Sequence, residues 1–360
     1  MTAGHQPAVS VVMATYRGAA LVGETIASLR HQRLTDFELV VVDDASGDAT
    51  PATVRDAAAG LDLNLIVAER NGGPVVARNR AVAAARGRYI AALDQDDLCH
   101  PDRFARQVAL LDGSPKTVLV ASAADVLLPD GRTRPSHHVA HTTPGLLRWL
   151  LGIGNPLVWS SVMLRGDAAR LLQPFSRDHV RFAEDFDLYR RLLPLGEVAR
   201  IDDPLLTYRC HPGGVSKRFE QQMLASTREV LRDGHAALLG EDASEAAWLI
   251  ADHLMHGEPV ADAARLARLG AVLTLLLDDF VARERPSDAD LTLIAAETRR
   301  QWLRVVRAAV RSGTVRLIDA RTVSAAFGTP ASGRDLRLSS WIGRVRAARR
   351  RLRRDHTLAA

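Results

Sequence analysis

Residues 37–50 read FELVVVDDASGDAT. Phe37–Val42 is a short, β-branched-rich run that carries apolar residues on both faces, as a strand buried in a parallel sheet does, and it ends abruptly in acids and turn residues. Three more runs share that texture: VSVVM at 9–13, LNLIVA at 63–68 and YIAAL at 89–93. Between them, residues 21–32, 49–59, 75–86 and 101–111 space their apolar side chains as helices do, with Pro51 and Pro101 at early helical positions. Strand, helix and strand repeated in this way predict right-handed βαβ units. The fold class is α/β, with a Rossmann-like, mostly parallel sheet sandwiched by helices.

From Thr117 the texture changes. TVLVASAADVLLPDGRTRP at 117–135 reads as a strand, a Pro-Asp-Gly turn and a return, which adds an antiparallel portion. Beyond Phe219 the strand signals stop, and 220–239, 243–256, 259–283 and 289–311 are all helical in pattern. The expected organisation is an α/β domain over 1–218, a helical extension over 219–330 and a basic tail over 331–360.

Charge separates these parts. The 360 residues carry 47 Lys and Arg against 42 Asp and Glu, a net charge of +5 that invites a nucleic-acid reading. Trp341–Arg354, WIGRVRAARRRLRR, holds seven Arg and no acid; without it 40 basic residues face 42 acids. The excess belongs to the tail, so no nucleic-acid partner is expected. Within it Trp341, Val345, Ala348 and Leu352 fall on one helical face among arginines. That pattern suits either peripheral contact with an anionic membrane or a solvated tail. Two cysteines, Cys99 and Cys210, exclude a disulfide framework and read as small packing residues. The N-terminus lacks the basic start and apolar core of a signal peptide. The apolar stretch at 146–164 is broken by Arg148, Asn155 and Pro156. The expected location is the cytoplasm.

In an open parallel sheet, ligands bind beyond the carboxyl ends of the strands. There the sequence places Thr15-Tyr16-Arg17, Asp43-Asp44-Ala45-Ser46-Gly47-Asp48 and Asp94-Gln95-Asp96-Asp97. Helix capping accounts for Ser46 or Asp48. It accounts poorly for DQDD, because one cap needs one acid. A hard divalent cation is the simplest neutraliser of such a cluster. No P-loop and no G-x-G-x-x-G is present, and Gly72-Gly73 before Pro74 reads as a turn.

Five segments in order, VSVVMATYRG, FELVVVDDASGDAT, GGPVVARNRAVAAARGRYIAALDQDDLCHPDRF, FAEDFDLYRRLL and YRCHPGGVS, resemble the inverting GT-A glycosyltransferases of family 2. The resemblance spans about residues 7–218 and leaves the helical remainder uncovered. It implies a GT-A fold and a nucleotide-diphosphate sugar donor of UDP or dTDP type. It also implies an acceptor hydroxyl on a glycan, a lipid-linked sugar or a small molecule. Tyr16 then packs on the base with Thr15 beside it, Asp44 accepts a hydrogen bond from the base, and Arg78 lies near the nucleotide. Asp94 and Asp96 form the D-x-D element: Asp94 faces the ribose, Gln95 joins the donor-binding set, and Asp96 holds Mg²⁺ or Mn²⁺. Asp185 matches the family's base, with Glu184 as its neighbour, and His211 turns toward the metal or diphosphate.

Blander readings stand beside these. Arg78 also suits a solvated helix surface, and Glu184, Asp185 and Asp187 suit the first turn of a helix, where acids are favoured. A nucleotidyltransferase would need a glycine-rich loop after the first strand, and ATYRGAAL offers only Arg17 and Gly18. A non-catalytic scaffold that binds sugar nucleotides would keep the same fold.

Overall fold

The computed structural model describes residues 5–136, 139–211, 218–326 and 339–340. β1 (Val9–Thr15) lies between two parallel neighbours, β2 (Phe37–Asp43) and β4 (Tyr89–Ala92). Val9 sits opposite both Phe37 and Tyr89, and Thr15 opposite Asp43. β3 (Asp62–Val67) extends the parallel block beyond β2. Every residue of β2 and β4 is buried, as their two-faced apolar character predicts. β3 differs. It is the edge strand, and its residues range from half-buried to exposed because only β2 flanks it.

The rest of the sheet is mixed. β8 (Met163–Arg165) runs antiparallel to β4 and to β6 (Thr117–Leu127), and β9 (Glu197–Arg209) runs parallel to β6. β5 (Leu98–Cys99) pairs with β9. The turn at Pro129-Asp130-Gly131 returns the chain as β7 (Thr133–Pro135), antiparallel to β6 as the sequence predicts. Among the described residues the order is β3-β2-β1-β4-β8-β6-β9-β5.

The helices of this part are α1 (Val22–Leu29), α2 (Thr50–Ala57), α3 (Pro74–Ala84), α4 (Arg103–Gly113), α5 (Pro144–Ile153), α6 (Gly166–Leu171) and α7 (Glu184–Leu192). Pro51 and Pro74 occupy the first turns of α2 and α3, where their missing N–H costs nothing. α1 turns Val22, Ile26 and Leu29 into a core shared with Val11, Met13, Leu39, Val41 and Phe104.

Two units divide the chain: Met1–Leu151 with Asn155–Val230, and Gly152–Gly154 with the described part of Leu231–Ala360. The boundary falls inside α8 (Glu220–Leu239). The second unit is helical, with α9 (Ala243–Leu249), a π-helical turn at Ile250–Met255, α10 (Ala263–Glu284), α11 (Asp288–Ser312) and α12 (Leu317–Ala326). Its punctuation is legible. Asp262 accepts from the Arg265 N–H (2.7 Å) at the start of α10, and Ser287 from the Asp290 N–H (3.2 Å) at the start of α11. Gly313, at φ 82°, closes α11 in the left-handed region. Trp302 is fully buried and its indole N–H reaches Ser324 Oγ at 3.3 Å. No described helix is long and apolar enough to cross a membrane. The basic tail at 341–354 lies outside the described residues.

Candidate active site

The strand order reverses between β1 and β4, where open parallel sheets bind ligands, and the loops that follow these two strands are bonded to each other through Gln95 and Tyr16. After β1, Thr15 is buried and donates from Oγ1 to Asp43 Oδ1 (3.1 Å), across from it in the sheet. Asp43 also accepts from the Ser46 N–H (3.0 Å) and hydroxyl (2.5 Å), so it is this acid that ties down the loop. The Ser46 hydroxyl in turn accepts from the Arg17 N–H (2.9 Å), and Arg17 sits at φ 49°. Tyr16 is left 41% exposed beyond the sheet, with the Arg17 guanidinium over its ring at 5.2 Å.

Asp44 is held from the other side. Its Oδ1 accepts from the Gly72 N–H and its Oδ2 from the Gly73 N–H, each at 2.8 Å. Gly73 adopts φ 85°, a conformation side chains resist, so Gly72-Gly73 serves as an anchor for this carboxylate. Each Asp44 oxygen keeps a second lone pair for another donor.

The acids after β4 are fixed one by one. The Asp94 N–H donates to Ser160 Oγ at 3.0 Å. Gln95 accepts from the Tyr16 N–H through Oε1 (3.0 Å) and donates to the Tyr16 carbonyl through Nε2 (3.2 Å). Both its amide atoms therefore grip the first loop. Gly18 lies directly beneath, where an added Cβ would meet Gln95 Oε1 at 2.0 Å. Asp96 Oδ2 shares a hydrogen bond with His211 Nε2 at 2.8 Å, and its carbonyl accepts from Arg209 Nε at 2.9 Å. Asp97 is buried and accepts from the Arg209 N–H at 2.9 Å. Burial raises its carboxyl well above the usual range, and Asp94 and Asp96 add to the effect. These bonds bind the end of β9 onto the acidic loop and bring His211 to Asp96.

Arg78 projects from α3 between two acids. It bonds Glu184 through one guanidinium nitrogen and lies 3.4 Å from Asp94 Oδ1 through another, with Trp159 4.8 Å below its plane. Its side chain is only 16% exposed, so it is not a solvated helix arginine. Burial opposes its charge, but Glu184, Asp94 and Asp185 outweigh burial and hold its pKa above the ordinary value. Burial raises Asp94, Arg78 pulls it back and Asp96 pushes it up again, leaving it above its ordinary value.

Asp185 stands in the first turn of α7. Its Oδ2 accepts from Asn155 Nδ2 at 2.9 Å and its Oδ1 from the Phe186 N–H at 2.8 Å. Burial, followed by the neighbouring Glu184 carboxylate, pushes it up to about 6 against the pull of Arg78. Asp187 instead pairs with Arg191 (2.8 Å) and Arg177 (3.5 Å), a structural acid as its first-turn position predicts. Glu184 Oε2, Arg78 Nε and the Tyr189 hydroxyl are buried without a hydrogen-bond partner.

The carboxylate and imidazole of Asp96 and His211 are donors that suit Mg²⁺ or Mn²⁺. Among the described residues no group of three or more His, Cys, Asp or Glu surrounds an ion position. The pair therefore fits a cation whose remaining positions are filled by a ligand's own oxygens and by water.

Comparison with known proteins bears on this arrangement. The sequence model described as Glycosyl transferase family 2 matches residues 10–169. The putative glycosyltransferase EpsE of Bacillus subtilis (strain 168) is 31% identical over 193 residues, 53% of this chain and 68% of that protein. The chain belongs to glycosyl transferase family 2. A second relative, the succinoglycan biosynthesis protein ExoO of Rhizobium meliloti (strain 1021), is 42% identical over 127 residues. That match spans 35% of this chain and only 36% of ExoO's own length. Among solved structures, S. aureus TarS 1-349 in complex with UDP-GlcNAc superposes with a TM-score of 0.55 at 18% identity, covering 94% of this chain and 91% of that one. That likeness is one of fold, and the fold is GT-A.

Within this family 2 chain, the loops at the carboxyl ends of β1, β2 and β4 and the start of α7 carry most of the residues the sequence singles out. Arg78 joins Asp94 to Glu184, Asp185 lies close enough to Glu184 and Arg78 to feel both charges, and Asp96 and His211 form a pair of their own in the acidic loop. Thr15 and Gln95 turn their side chains to Asp43 and to Tyr16. Three residues escape the sequence reading: Asn155, Trp159 and Ser160, which touch Asp185, Arg78 and Asp94. Their only signal is an Asn-Pro and a Ser-Ser pair interrupting an otherwise apolar run.

Proposed function

We propose that this chain is a metal-dependent, inverting glycosyltransferase. It moves a sugar from a UDP- or dTDP-type donor to an acceptor hydroxyl in surface polysaccharide or glycoconjugate synthesis. The observation that carries the reading is the span of one side chain. Arg78 reaches Asp94 of the acidic loop and Glu184 beside Asp185, so the proposed donor-binding acids and the proposed base share one cluster. UDP-GlcNAc in the TarS complex and the succinoglycan role in the name of ExoO support the donor type and the product class.

In this reading Tyr16 stacks on the base and Asp44 accepts one of its N–H groups. Arg78 holds Asp94 in place beside the donor. Asp185 takes the proton from the acceptor hydroxyl as that oxygen attacks the anomeric carbon from the face opposite the diphosphate. The sugar–phosphate bond breaks and its electron pair leaves on the nucleoside diphosphate. A carboxyl near 6 suits that work, being mostly ionised at neutral pH yet more basic than an ordinary carboxylate. Asp96 and His211 would hold the cation, which supplies neutralisation of the charge growing on the leaving diphosphate.

Thermal shift tests the donor site. UDP with Mn²⁺ raises Tm more than either alone, in line with about 2.7 kcal/mol at a hundredfold excess over Kd. Asp96→Asn removes the part that depends on Mn²⁺. The absence of any shift with UDP, dTDP or their sugars, with or without Mn²⁺, would sink the reading.

The basic tail extends the proposal to a place: the cytoplasmic face of a membrane, next to a lipid-linked acceptor. The full chain then co-sediments with phosphatidylglycerol vesicles and a chain ending at residue 330 does so less. Equal binding by the two rejects the tail as the contact.

A further inference from the structure

We infer that Asn155 is a positioning residue for Asp185, orienting its carboxylate for the proton transfer; this rests on the reading of Asp185 as the base. Asn155 follows α5 and precedes Pro156, at the head of the segment that leads into β8. Its own amide orientation is fixed locally. Asn155 Oδ1 accepts from the Leu157 N–H at 3.2 Å, so only the NH₂ side can face α7. From there Nδ2 donates to Asp185 Oδ2 at 2.9 Å, while the Phe186 N–H takes Oδ1 at 2.8 Å. The carboxylate is thus pinned at both oxygens, once by its own helix and once by a different segment of chain.

The same segment supports the rest of the cluster. Trp159 lies under the Arg78 guanidinium at 4.8 Å, and Ser160 accepts from the Asp94 N–H at 3.0 Å. Residues 155–160 therefore touch the proposed base, the bridging arginine and the first acid of D-x-D. Of these contacts Asn155 is the one made to a group that changes charge in the proposed reaction.

The charged and titratable groups facing Asp185 are few. Glu184 on α7 raises it and Arg78 from α3 lowers it. Tyr189, one turn on, contributes a buried phenol, and Asp94 lies beyond Arg78. The Asn155 donor favours the ionised carboxylate, as the Phe186 N–H does. Losing it leaves burial and Glu184 less opposed, so the proton is held more tightly.

Two variants and two readouts test this. Water-soluble carbodiimide labels protonated carboxyls, and peptide mass spectrometry reads the pH midpoint at Asp185. In the parent that midpoint lies at about 6. Asn155→Ala moves it up by about one pH unit, the worth of one hydrogen bond to a charged group. Asn155→Asp keeps the size of the side chain, which guards against loss of folding, and moves the midpoint further up through its added negative charge. UDP release from UDP-GlcNAc with Mn²⁺, water serving as acceptor, falls about 10- to 100-fold in Asn155→Ala, with UDP affinity within twofold of the parent. A midpoint that stays at the parent value in both variants overturns the inference. A parent-like rate in Asp185→Asn overturns the base reading instead, and the labelling midpoint still shows whether Asn155 acts on the carboxylate.

Discussion

Asp185→Asn lowers UDP release from a UDP-sugar by about 10²- to 10⁴-fold, the usual worth of a positioned general base, and leaves UDP affinity within about twofold. The substitution is nearly isosteric. An amide oxygen at 185 can still accept from Asn155 Nδ2 or from the Phe186 N–H, the two bonds that hold the parent side chain. What disappears is the group that takes a proton. The acid limb of the pH–rate profile, set in the parent by a carboxyl near 6, goes with it. Stability moves the other way. A carboxyl whose folded pKa lies above its unfolded value binds protons more readily when folded. Its contribution therefore falls as pH rises from the ordinary 3.8 through about 6. At pH 7 the ionised group costs stability, so Asp185→Asn melts above the parent, and the gap closes toward pH 4. Rates like the parent's across pH 5–8 (roughly the window bracketing that carboxyl) would remove Asp185 from the reaction.

Arg78→Met destabilises the fold by about 3–5 kcal/mol at pH 7, the range for removing one partner from a buried ion pair. Glu184 is buried, with a side chain 5% exposed, and Arg78 is the cation it shares with Asp94. Methionine retains the apolar packing on Trp159 but leaves these acids, and Asp185 beside them, without a counter-charge. The Asp94 and Asp185 carboxyls, already above their ordinary values, then rise further and take up protons as pH falls, so the deficit shrinks between pH 7 and pH 5. Arg78→Lys keeps the charge but loses the fork that serves two carboxylates at once, and falls between the parent and Arg78→Met. Denaturant melts at several pH values check this. A deficit under about 1 kcal/mol, or one that does not change with pH, means the cluster is solvated well enough to need no counterion.

These effects concentrate where the sequence is easiest to read, and the reasons are physical. β1, β2 and β4 are buried on both faces, so their composition shows them without any partner in view. β5 and β8, of two and three residues, are too short to show a period and exist because β9, β4 and β6 pair with them. β3 carries a similar run of letters to its neighbours, yet its place at the sheet edge exposes it, and position in a sheet is not written in one strand. Asp94 and Asp96 announce themselves because clustered acids need neutralising, whereas Asp185 stands out only through the resemblance of FAEDFDLYRRLL to the family's segment. Asn155, Trp159 and Ser160 do not. They join the site only because β8 lies antiparallel beside β4 and carries the end of their loop to Asp94. Gly72-Gly73 reads as a plain turn, since a backbone N–H aimed at a distant carboxylate leaves no trace in residue type.

The grip of Gln95 on Tyr16 makes two loops into one rigid part. Its amide needs both an acceptor and a donor to close on the Tyr16 backbone, and Gly18 must stay bare because a Cβ there would lie 2.0 Å from Gln95 Oε1. Positions 18 and 95 are thus a lock and its bolt. The middle letter of D-x-D is constrained here by the Tyr16 loop it braces, and a chain with a larger residue at 18 would need a shorter one at 95, at the expense of the stiffness between the two loops.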